Sequence, residues 1–199
     1  MTGELTRAAE LLYELGLLKR YPRSGWLVAG VERPESIAEH SFRAAVTAIL
    51  VAAGEGADPQ RAAFLALLHD TQETRTTDLS YLAKRYVEPS ATNQAVTEEQ
   101  VGGLPGPAAR TIRAAVGEYE LRQSLEARCA RDADKLECLV QALEYRDQGY
   151  AGVQAWIDSS LAALQTATAK RLAEEAMGMT PLDWVLRTSP GPRAEGGNR

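Results

Sequence analysis

The residues best suited to chemistry are the two histidines, His40 and His69, because each falls on the apolar face of a predicted helix. His69 is followed directly by Asp70 at the end of the apolar run FLALLHD. A carboxylate buried there is costly unless it is paired or binds a cation. Two imidazoles with carboxylates form a suitable ligand set for divalent Mn, Co, Fe, Ni or Zn. The structural alternative is a pair of hydrogen-bonded core histidines.

Two further carboxylates follow this pair closely. Glu73 lies three residues after Asp70 and four after His69, so on a continuing helix all three side chains project from one face. Asp78 follows after a short polar link. A carboxylate beside a metal is suited to general acid catalysis. The structural alternatives are a solvated helix end for Glu73 and an N-cap for Asp78.

A third carboxylate is expected from the segment ARDADKLECLVQALEY, but the pattern leaves its identity open. Asp132 lies on the apolar stripe that includes Leu125 and Leu136, whereas Asp134 shares a more polar face with Cys138. Periodicity therefore favours Asp132 as the buried aspartate. A metal cavity is lined by mixed residues, so periodicity does not decide between the two.

The elements that must position these residues are all helical. Apolar residues recur at spacings of three and four, and strict alternation over a strand's length is hard to find. The sequence therefore predicts an all-α bundle with one domain over residues 1–187 and a disordered tail over 188–199. The predicted helices are 4–19, 37–54, 59–73, 78–87, 93–101, 106–117, 121–148, 153–176 and 181–187.

Local signals mark several of these boundaries. Ser36 and the pair Asp58-Pro59 predict helix starts, and Gly54 and Gly56 predict the end of the helix between them. Residues 20–36 form the longest irregular stretch of the predicted domain, and a loop of that length is often functional.

Composition limits the classes of partner. The chain has 199 residues and a net charge of −5 with no stripe of Lys and Arg, which argues against a nucleic acid polymer. No stretch approaches the ~20 apolar residues of a membrane span. Cys129 and Cys138 lie too far apart along one predicted helix for a disulfide, which predicts free thiols and a cytoplasmic location.

Three segments, taken in their order and spacing, resemble one known family. They are LKRYPRSGWLVAGVERPESIAEHSFRAA, LLHDTQETRTTDL and RDADKLECLVQALEY. Together they resemble the HD-domain metal-dependent phosphohydrolases, and within these the 5'-deoxynucleotidase branch, over about residues 17–148. The resemblance implies a helical HD domain that hydrolyses 5'-(deoxy)ribonucleoside monophosphates to nucleoside and phosphate.

The resemblance also implies a set of metal ligands. The four residues implied to hold the cation are His40, His69, Asp70 and Asp134. Asp134 is preferred over its neighbour because the family's ligand is followed two residues later by an apolar position, here Leu136. In some relatives a second cation, such as Mg, uses positions that match Glu73, Asp78 and the carbonyl oxygen of Leu79.

Roles toward the substrate are implied in the same way. The resemblance implies Glu73 as the acid-base residue and Asp78 as the residue near the deoxyribose. It places Arg20 and Tyr21 beside the phosphate and the base, with Arg20 stabilising the reacting phosphate. Arg43, one turn beyond the first histidine, is a second candidate for phosphate binding.

Two positions depart from the family pattern and keep alternatives open. The family often has Gly where this chain has Thr77, and some bacterial members have Trp at the position of Tyr21. Both departures bear on substrate fit. One alternative is therefore the same chemistry on a modified nucleotide, for example in a nucleoside-antibiotic pathway. Another is a nucleotide-sensing module without turnover.

The resemblance implies a homodimer as well. The predicted helix 153–176 offers some physical support, because it carries enough apolar side chains to serve a core and an interface together. These side chains are Trp156, Ile157, Leu161 and Leu164.

Overall fold

A computed structural model describes residues 2–88 and 90–188, and the regular elements within those ranges are all helical. The all-α prediction is therefore confirmed. The helices are α1 (Thr2–Leu15), α2 (Ser24–Val28), α3 (Ile37–Glu55), α4 (Pro59–Leu68), α5 (Glu73–Thr76), α6 (Asn93–Val101), α7 (Gly106–Leu121), α8 (Leu125–Asp147), α9 (Gln154–Ala163), α10 (Ala167–Met177) and α11 (Asp183–Thr188). Short 3₁₀ turns lie at Gly16–Lys19, Ala83–Arg85 and Ala151–Val153. The predicted tail lies outside the described residues from position 189 onward, and Thr188 ends α11.

The helices α3, α4 and α8 form the centre of the bundle. α3 and α8 pack along each other, and α4 packs against both. Alanines such as Ala48, Ala66 and Ala133 are fully buried at this centre, which lets the helix backbones approach closely. A smaller cluster joins α6 and α7 to α1. Cys129 and Cys138 are free, as predicted.

Helix caps fix the entry and exit of α3 and the start of α4. Ser36 Oγ accepts from the backbone N–H of Glu39, and the Glu39 carboxylate accepts from the backbone N–H of Ser36. Asp58 accepts from the first backbone N–H groups of α4. Gly56 ends α3 with φ of 74°, which glycine adopts without strain. Gly54 instead lies inside α3, where an added Cβ would meet a Thr side chain of α10 at 2.5 Å.

Three predicted helices differ from the observed ones. The helix predicted over 59–73 ends at Leu68, and residues 78–87 contain only the 3₁₀ turn Ala83–Arg85. The helix predicted over 153–176 is broken at Leu164, whose backbone is extended. In addition, the predicted loop 20–36 contains α2, whose Trp26 is buried in the main core. At the break after Leu164 and in the segment that begins at Asp78, tertiary contacts of Asp132 and Asp78 override local propensity.

The helix expected to supply a dimer interface is used by the core. Ile157 and Leu164 are nearly fully buried, and Trp156 and Leu161 pack against the main cluster. Most of the apolar surface of this helix is therefore used by the core, and the homodimer stays a prediction.

The helix α3 is more apolar than the sequence analysis expected of any segment. Among the residues that the structure describes, it alone is long and apolar enough, by length and composition, to cross a membrane. Its buried side includes His40, Ala44 and Val51, and it packs against α4 and α8. Its exposed apolar side chains include Phe42 and Leu50. In this fold α3 is the central helix that carries the first histidine.

Candidate metal centre and its cavity

The centre lies where α3, α4 and α8 meet. His40 projects from the first turn of α3, and Asp134 projects from the middle of α8. His69 is the C-cap of α4 and keeps helical backbone angles, so Asp70 begins the turn that leaves the helix. The end of α4 thus places His69 and Asp70 next to each other, beside His40 of α3 and Asp134 of α8.

The donor atoms of these four residues converge. His40 Nε2 lies 3.3 Å from His69 Nε2 and 3.4 Å from Asp134 Oδ1. Asp70 Oδ2 lies 3.0 Å from His69 Nε2 and 3.7 Å from His40 Nε2. Neighbouring donors that share one ion at ~2.1 Å are about 3.0–3.4 Å apart, and three of these pairs fall in that range. The remaining distances, including 3.9 Å between His69 Nε2 and Asp134 Oδ1, lie below the ~4.2 Å of donors on opposite sides of an ion. His40, His69 and Asp134 are all buried, and their donor atoms lie within 4.8 Å of one another.

The electrostatics of the cluster also favour a cation. Burial disfavours a charged imidazole at His40, but the carboxylates of Glu137 and Asp134 outweigh burial and raise the pKa of His40 to about 10. Burial raises the pKa of the Asp134 carboxyl, yet Lys135 and the imidazoles hold it well below its usual range. Burial and the adjacent histidine oppose each other in the same way at Asp70, and the pKa falls. Positive charge is therefore stabilised between the two aspartates.

The structure distinguishes the two aspartates of α8. Asp132 is buried but points away from the histidines, and its carboxylate accepts from the backbone N–H groups of Gln165 and Thr166 at 3.0 and 2.6 Å. It therefore holds the break between α9 and α10. Asp134 directs Oδ1 at the histidines, and its Oδ2 lies 3.0 Å from Lys135 Nζ.

The guanidinium beside the centre belongs to Arg23, which sequence reasoning missed. Arg23 Nη1 lies 3.2 Å from Asp70 Oδ2 and 3.8 Å from Asp78 Oδ1. Arg20 is exposed, and its backbone N–H caps the preceding 3₁₀ turn. The structure does not bring Arg20 or Tyr21 to the cavity that His69, Asp70 and Asp134 line, because neither residue is part of its lining.

A signal for Arg23 was present in the sequence. It lies directly before α2, three residues ahead of Trp26, which is 2% exposed and donates from Nε1 to Glu35. The backbone N–H of Arg23 donates to the carbonyl oxygen of Glu35 at 2.9 Å. A large aromatic residue in an irregular stretch is commonly an anchor, and its neighbours in sequence then face the interior.

Glu73 and Asp78 lie on the cavity side of the centre. Glu73 begins α5, and its Oε2 is buried without a hydrogen-bond partner among the described residues. Burial, together with the charges of Asp70 and Asp78, raises the pKa of Glu73 to about 9. Asp78 Oδ2 accepts from the backbone N–H of Ser24 at 2.6 Å, which ties the segment after α5 to α2.

Arg43, the second predicted phosphate-binding residue, lies on the other side of His40 and does not line the cavity. Its Nε donates to Glu137 Oε1 at 2.8 Å. Its terminal nitrogens donate to Gln141 at 2.6 Å and to Glu144 at 2.8 Å. Instead of lining the cavity, the Arg43 guanidinium is hydrogen-bonded to side chains of α8.

His69, Asp70 and Asp134 of the centre line a cavity of about 670 Å³, a size typical of small-molecule sites. Cationic side chains on its walls are Arg23, Lys84, Arg122, Arg131 and Lys135, and aromatic ones include Tyr81, Tyr119 and Trp156. Leu79 also lines it. Two non-glycine residues, Thr77 and Arg122, have positive φ within the described ranges, and both line this cavity. Such strained backbone is concentrated at ligand sites.

The chain is similar to known proteins over most of its length. The sequence model of the HD domain matches residues 15–177. The human 5'-deoxynucleotidase HDDC2 is 32% identical over 139 residues, which cover 69% of this chain and 68% of the human protein.

Solved structures share the fold. A conserved hypothetical protein from Pyrococcus furiosus has a TM-score of 0.70 at 29% identity and covers 86% of this chain and 99% of its own. A protein from Magnetospirillum magnetotacticum, described as a predicted metal-dependent phosphohydrolase, has a TM-score of 0.65 at 26% identity. That similarity covers 93% of this chain and 94% of the Magnetospirillum chain.

Proposed function

This chain belongs to the HD domain family, and from that premise we propose that it is a metal-dependent phosphohydrolase acting on 5'-nucleoside monophosphates. Deoxyribonucleotides are the preferred substrates, and the products are nucleoside and phosphate. The observation that carries the proposal is the convergence of two imidazoles and two carboxylates beside a cavity that three of the four residues line. The same cavity is lined by Arg23, which is paired with Asp70, and by Glu73, whose Oε2 is buried without a hydrogen-bond partner among the described residues.

The residues present fit a divalent transition metal. The ligands are His40, His69, Asp70 and Asp134, and imidazole with carboxylate suits Mn, Co, Fe, Ni or Zn. When bound, such a cation acts as a Lewis acid on a phosphate oxygen and lowers the pKa of a water molecule. His69 is held for this task because its Nδ1 donates to the carbonyl oxygen of Ala66 at 2.6 Å, which leaves Nε2 free to bind the cation.

Arg23 is the residue that binds the phosphate. Its guanidinium lies beside Asp70, and its side chain is 17% exposed toward the cavity. A planar guanidinium donates paired hydrogen bonds to phosphate oxygens. Negative charge grows on these oxygens as the phosphorus is attacked, so Arg23 stabilises the transition state more than the ground state. The role that the family resemblance implies for Arg20 thus passes to Arg23.

Glu73 donates the proton to the leaving group. Hydrolysis breaks the bond between phosphorus and the 5' oxygen, and a free alkoxide is a poor leaving group. The Glu73 carboxyl holds its proton at neutral pH because its pKa is raised to about 9 by burial and by Asp70 and Asp78. Proton transfer to the 5' oxygen then completes the nucleoside product.

Asp78 contacts the sugar. One carboxylate oxygen is held by the backbone N–H of Ser24, and the carboxylate lines the cavity, so a remaining lone pair can accept from the 3'-hydroxyl. A second cation, such as Mg, would have ligands in Asp78, in the carbonyl oxygen of Leu79 and, once its proton has left, in Glu73, and these three residues line the same cavity. Oxygen ligands of this kind suit Mg²⁺.

The chain forms a homodimer, and the exposed apolar face of α3 supports it. Phe42, Val46, Ile49 and Leu50 recur at helical spacing and are 44–68% exposed. Light scattering at micromolar concentration tests this, and a monomer would contradict it.

The deciding experiment is turnover of a panel of 5'-monophosphates by metal-replete protein. Ribo- and deoxyribonucleotides are included for each base, with nucleosides modified in base or sugar as further members. Release of phosphate from ordinary deoxynucleotides supports the proposal. Turnover of a modified nucleotide alone favours a secondary-metabolite role. Binding without turnover of any member favours a nucleotide-sensing module.

A further inference from the structure

We propose that Glu137 is a positioning residue for the metal centre, which holds His40 from behind and is itself held by Arg43. The proposal rests on the proposed function, since it assumes that His40 Nε2 binds the cation. It concerns a carboxylate that lies outside the ligand set and outside the cavity lining.

The first support is the contact between Glu137 and His40. Glu137 Oε2 makes a short hydrogen bond with Nδ1 of His40, and both side chains have no exposed surface. A carboxylate accepts, so Nδ1 carries a proton, and Nε2 is the nitrogen that faces the other ligands and can exchange its proton for a cation. That nitrogen lies 3.4 Å from Asp134 Oδ1. Glu137 therefore selects the tautomer in which His40 can act as a ligand.

The second support is the position of both carboxylates on one helix. Asp134 and Glu137 are three residues apart on α8, so their side chains lie on the same face. Asp134 approaches Nε2 of His40, and Glu137 approaches Nδ1. A single rigid helix thus contacts the imidazole at both nitrogens. This arrangement fixes the direction of the ring as well as its proton.

The third support is the set of groups that holds Glu137. Its other oxygen accepts from Arg43 Nε at 2.8 Å, and Arg43 is in turn bonded to Gln141 and Glu144. Glu35, whose oxygen accepts from Trp26 Nε1, is the other carboxylate close to the back of the ring. The Arg43 guanidinium compensates a buried negative charge that would otherwise be costly.

Orienting the His40 ring does not by itself require the negative charge of Glu137. His69 shows what the fold needs to orient an imidazole, because its Nδ1 donates to the backbone carbonyl oxygen of Ala66. At His40 the corresponding acceptor is a full carboxylate, and a carboxylate makes the imidazole a stronger ligand. The two histidines therefore differ in ligand strength, with His40 the stronger.

The test measures binding of Co²⁺ alone, by competition with a chromophoric chelator, in the full chain without substrate. Outer contacts of this kind contribute about 10–100-fold to metal affinity, so we expect Kd to rise about 10-fold in Glu137→Gln and about 100-fold in Glu137→Ala. We also expect the visible absorption of the bound Co²⁺ to change in both variants. A contact that served folding alone would not alter that spectrum.

Glu144→Gln is the matched control. Glu144 binds the same arginine from the same helix but lies further from His40 along α8. Its Kd for Co²⁺ should stay within about twofold of the parent value, since it makes no contact with the ligand itself. An equal loss in Glu144→Gln and Glu137→Gln would overturn the positioning role.

Further outcomes keep the two proposals separate. Parent affinity and an unchanged spectrum in both Glu137 variants would refute the role of Glu137 and leave the proposed function intact. Failure of the parent chain to bind Co²⁺ would refute the metal centre itself. If Glu137→Ala does not fold, the near-isosteric Glu137→Gln and the variant Arg43→Gln decide, because both should weaken binding.

Discussion

The two sides of the metal centre differ in how fully their polar groups are hydrogen-bonded. Behind His40, Glu137 and Arg43 are engaged in hydrogen bonds that also reach the rest of α8. On the cavity side, Glu73 has a buried oxygen without a partner among the described residues, and Thr77 has positive φ. Satisfied polar groups hold a geometry, whereas unsatisfied groups and strained backbone receive a ligand. The contrast indicates that the centre is fixed from behind and reacts toward the cavity.

This contrast predicts that metal affinity and turnover respond to different substitutions. Changes to the ligands or to the groups behind them should reduce metal affinity. Changes on the cavity side should leave the metal bound and reduce turnover or selectivity. Substitutions of Asp134, Glu73, Arg23 and Asp78 test this difference, and their expected effects decrease in that order.

The largest effect is expected from Asp134→Asn, which should lose both the metal and all measurable turnover. The adjacent variant Asp132→Asn is the control, because Asp132 accepts from backbone N–H groups of the loop before α10. It should destabilise the fold by about 1–3 kcal/mol while keeping one metal ion per folded chain. Elemental analysis and thermal unfolding measure the two quantities. An inactive Asp132 variant beside an active Asp134 variant would reverse the assignment.

Glu73→Gln should retain the metal and lose turnover by about 10²–10⁴-fold, since it cannot protonate the leaving 5' oxygen. Steady-state kinetics on a deoxynucleotide and on an activated aryl phosphate measure this. The aryl leaving group needs little protonation, so the loss there should be small. Equal losses on both substrates would show that Glu73 has another role.

Arg23→Gln should reduce kcat/KM by about 10–100-fold, because a charged hydrogen bond to phosphate contributes about 1.5–3 kcal/mol. Arg20→Gln is the matched control, since Arg20 is exposed and does not line the cavity. It should keep parent kinetics. The opposite pattern would restore the role that the family resemblance implies for Arg20.

Asp78→Ala should have the smallest effect, on selectivity rather than on rate. The ratio of deoxyribo- to ribonucleotide turnover should fall by about 10-fold, since a site that excludes one added hydroxyl discriminates modestly. Competition between dAMP and AMP in one reaction measures the ratio directly. An unchanged ratio in the variant would remove Asp78 from sugar recognition.

Much of the fold follows from local sequence signals. The helices α3 and α4 begin where Ser36 and Asp58 predict, because caps act over three residues. The break before α10 could not be predicted, because it depends on Asp132, which contacts residues 33 and 34 positions later. The segment after α5 is likewise drawn out of a helix by the bond between Asp78 and Ser24, 54 residues apart.

The site residues likewise could be predicted only where they are close in sequence or share a helix face. Residue types and spacing identify His40, His69 and Asp70 as candidates, since they are adjacent or share helix faces. Arg23 and Glu137 emerge only from contacts that span 47 and 97 residues. Periodicity also places Asp132 correctly in the interior, yet it cannot tell a buried cap from a buried ligand.

The backbone at Thr77 has a consequence for protein engineering. Its φ of 59° and ψ of 166° belong to a region that glycine alone occupies freely, and the strain of another residue there is about 1–3 kcal/mol. The entropy cost of glycine is about 0.5–1 kcal/mol. Thr77→Gly therefore raises Tm by a few degrees for a chain of this length. A screen for heat resistance alone would select that change, and with it a looser segment beside Asp78, so thermostabilised variants of this protein should be checked for relaxed sugar choice.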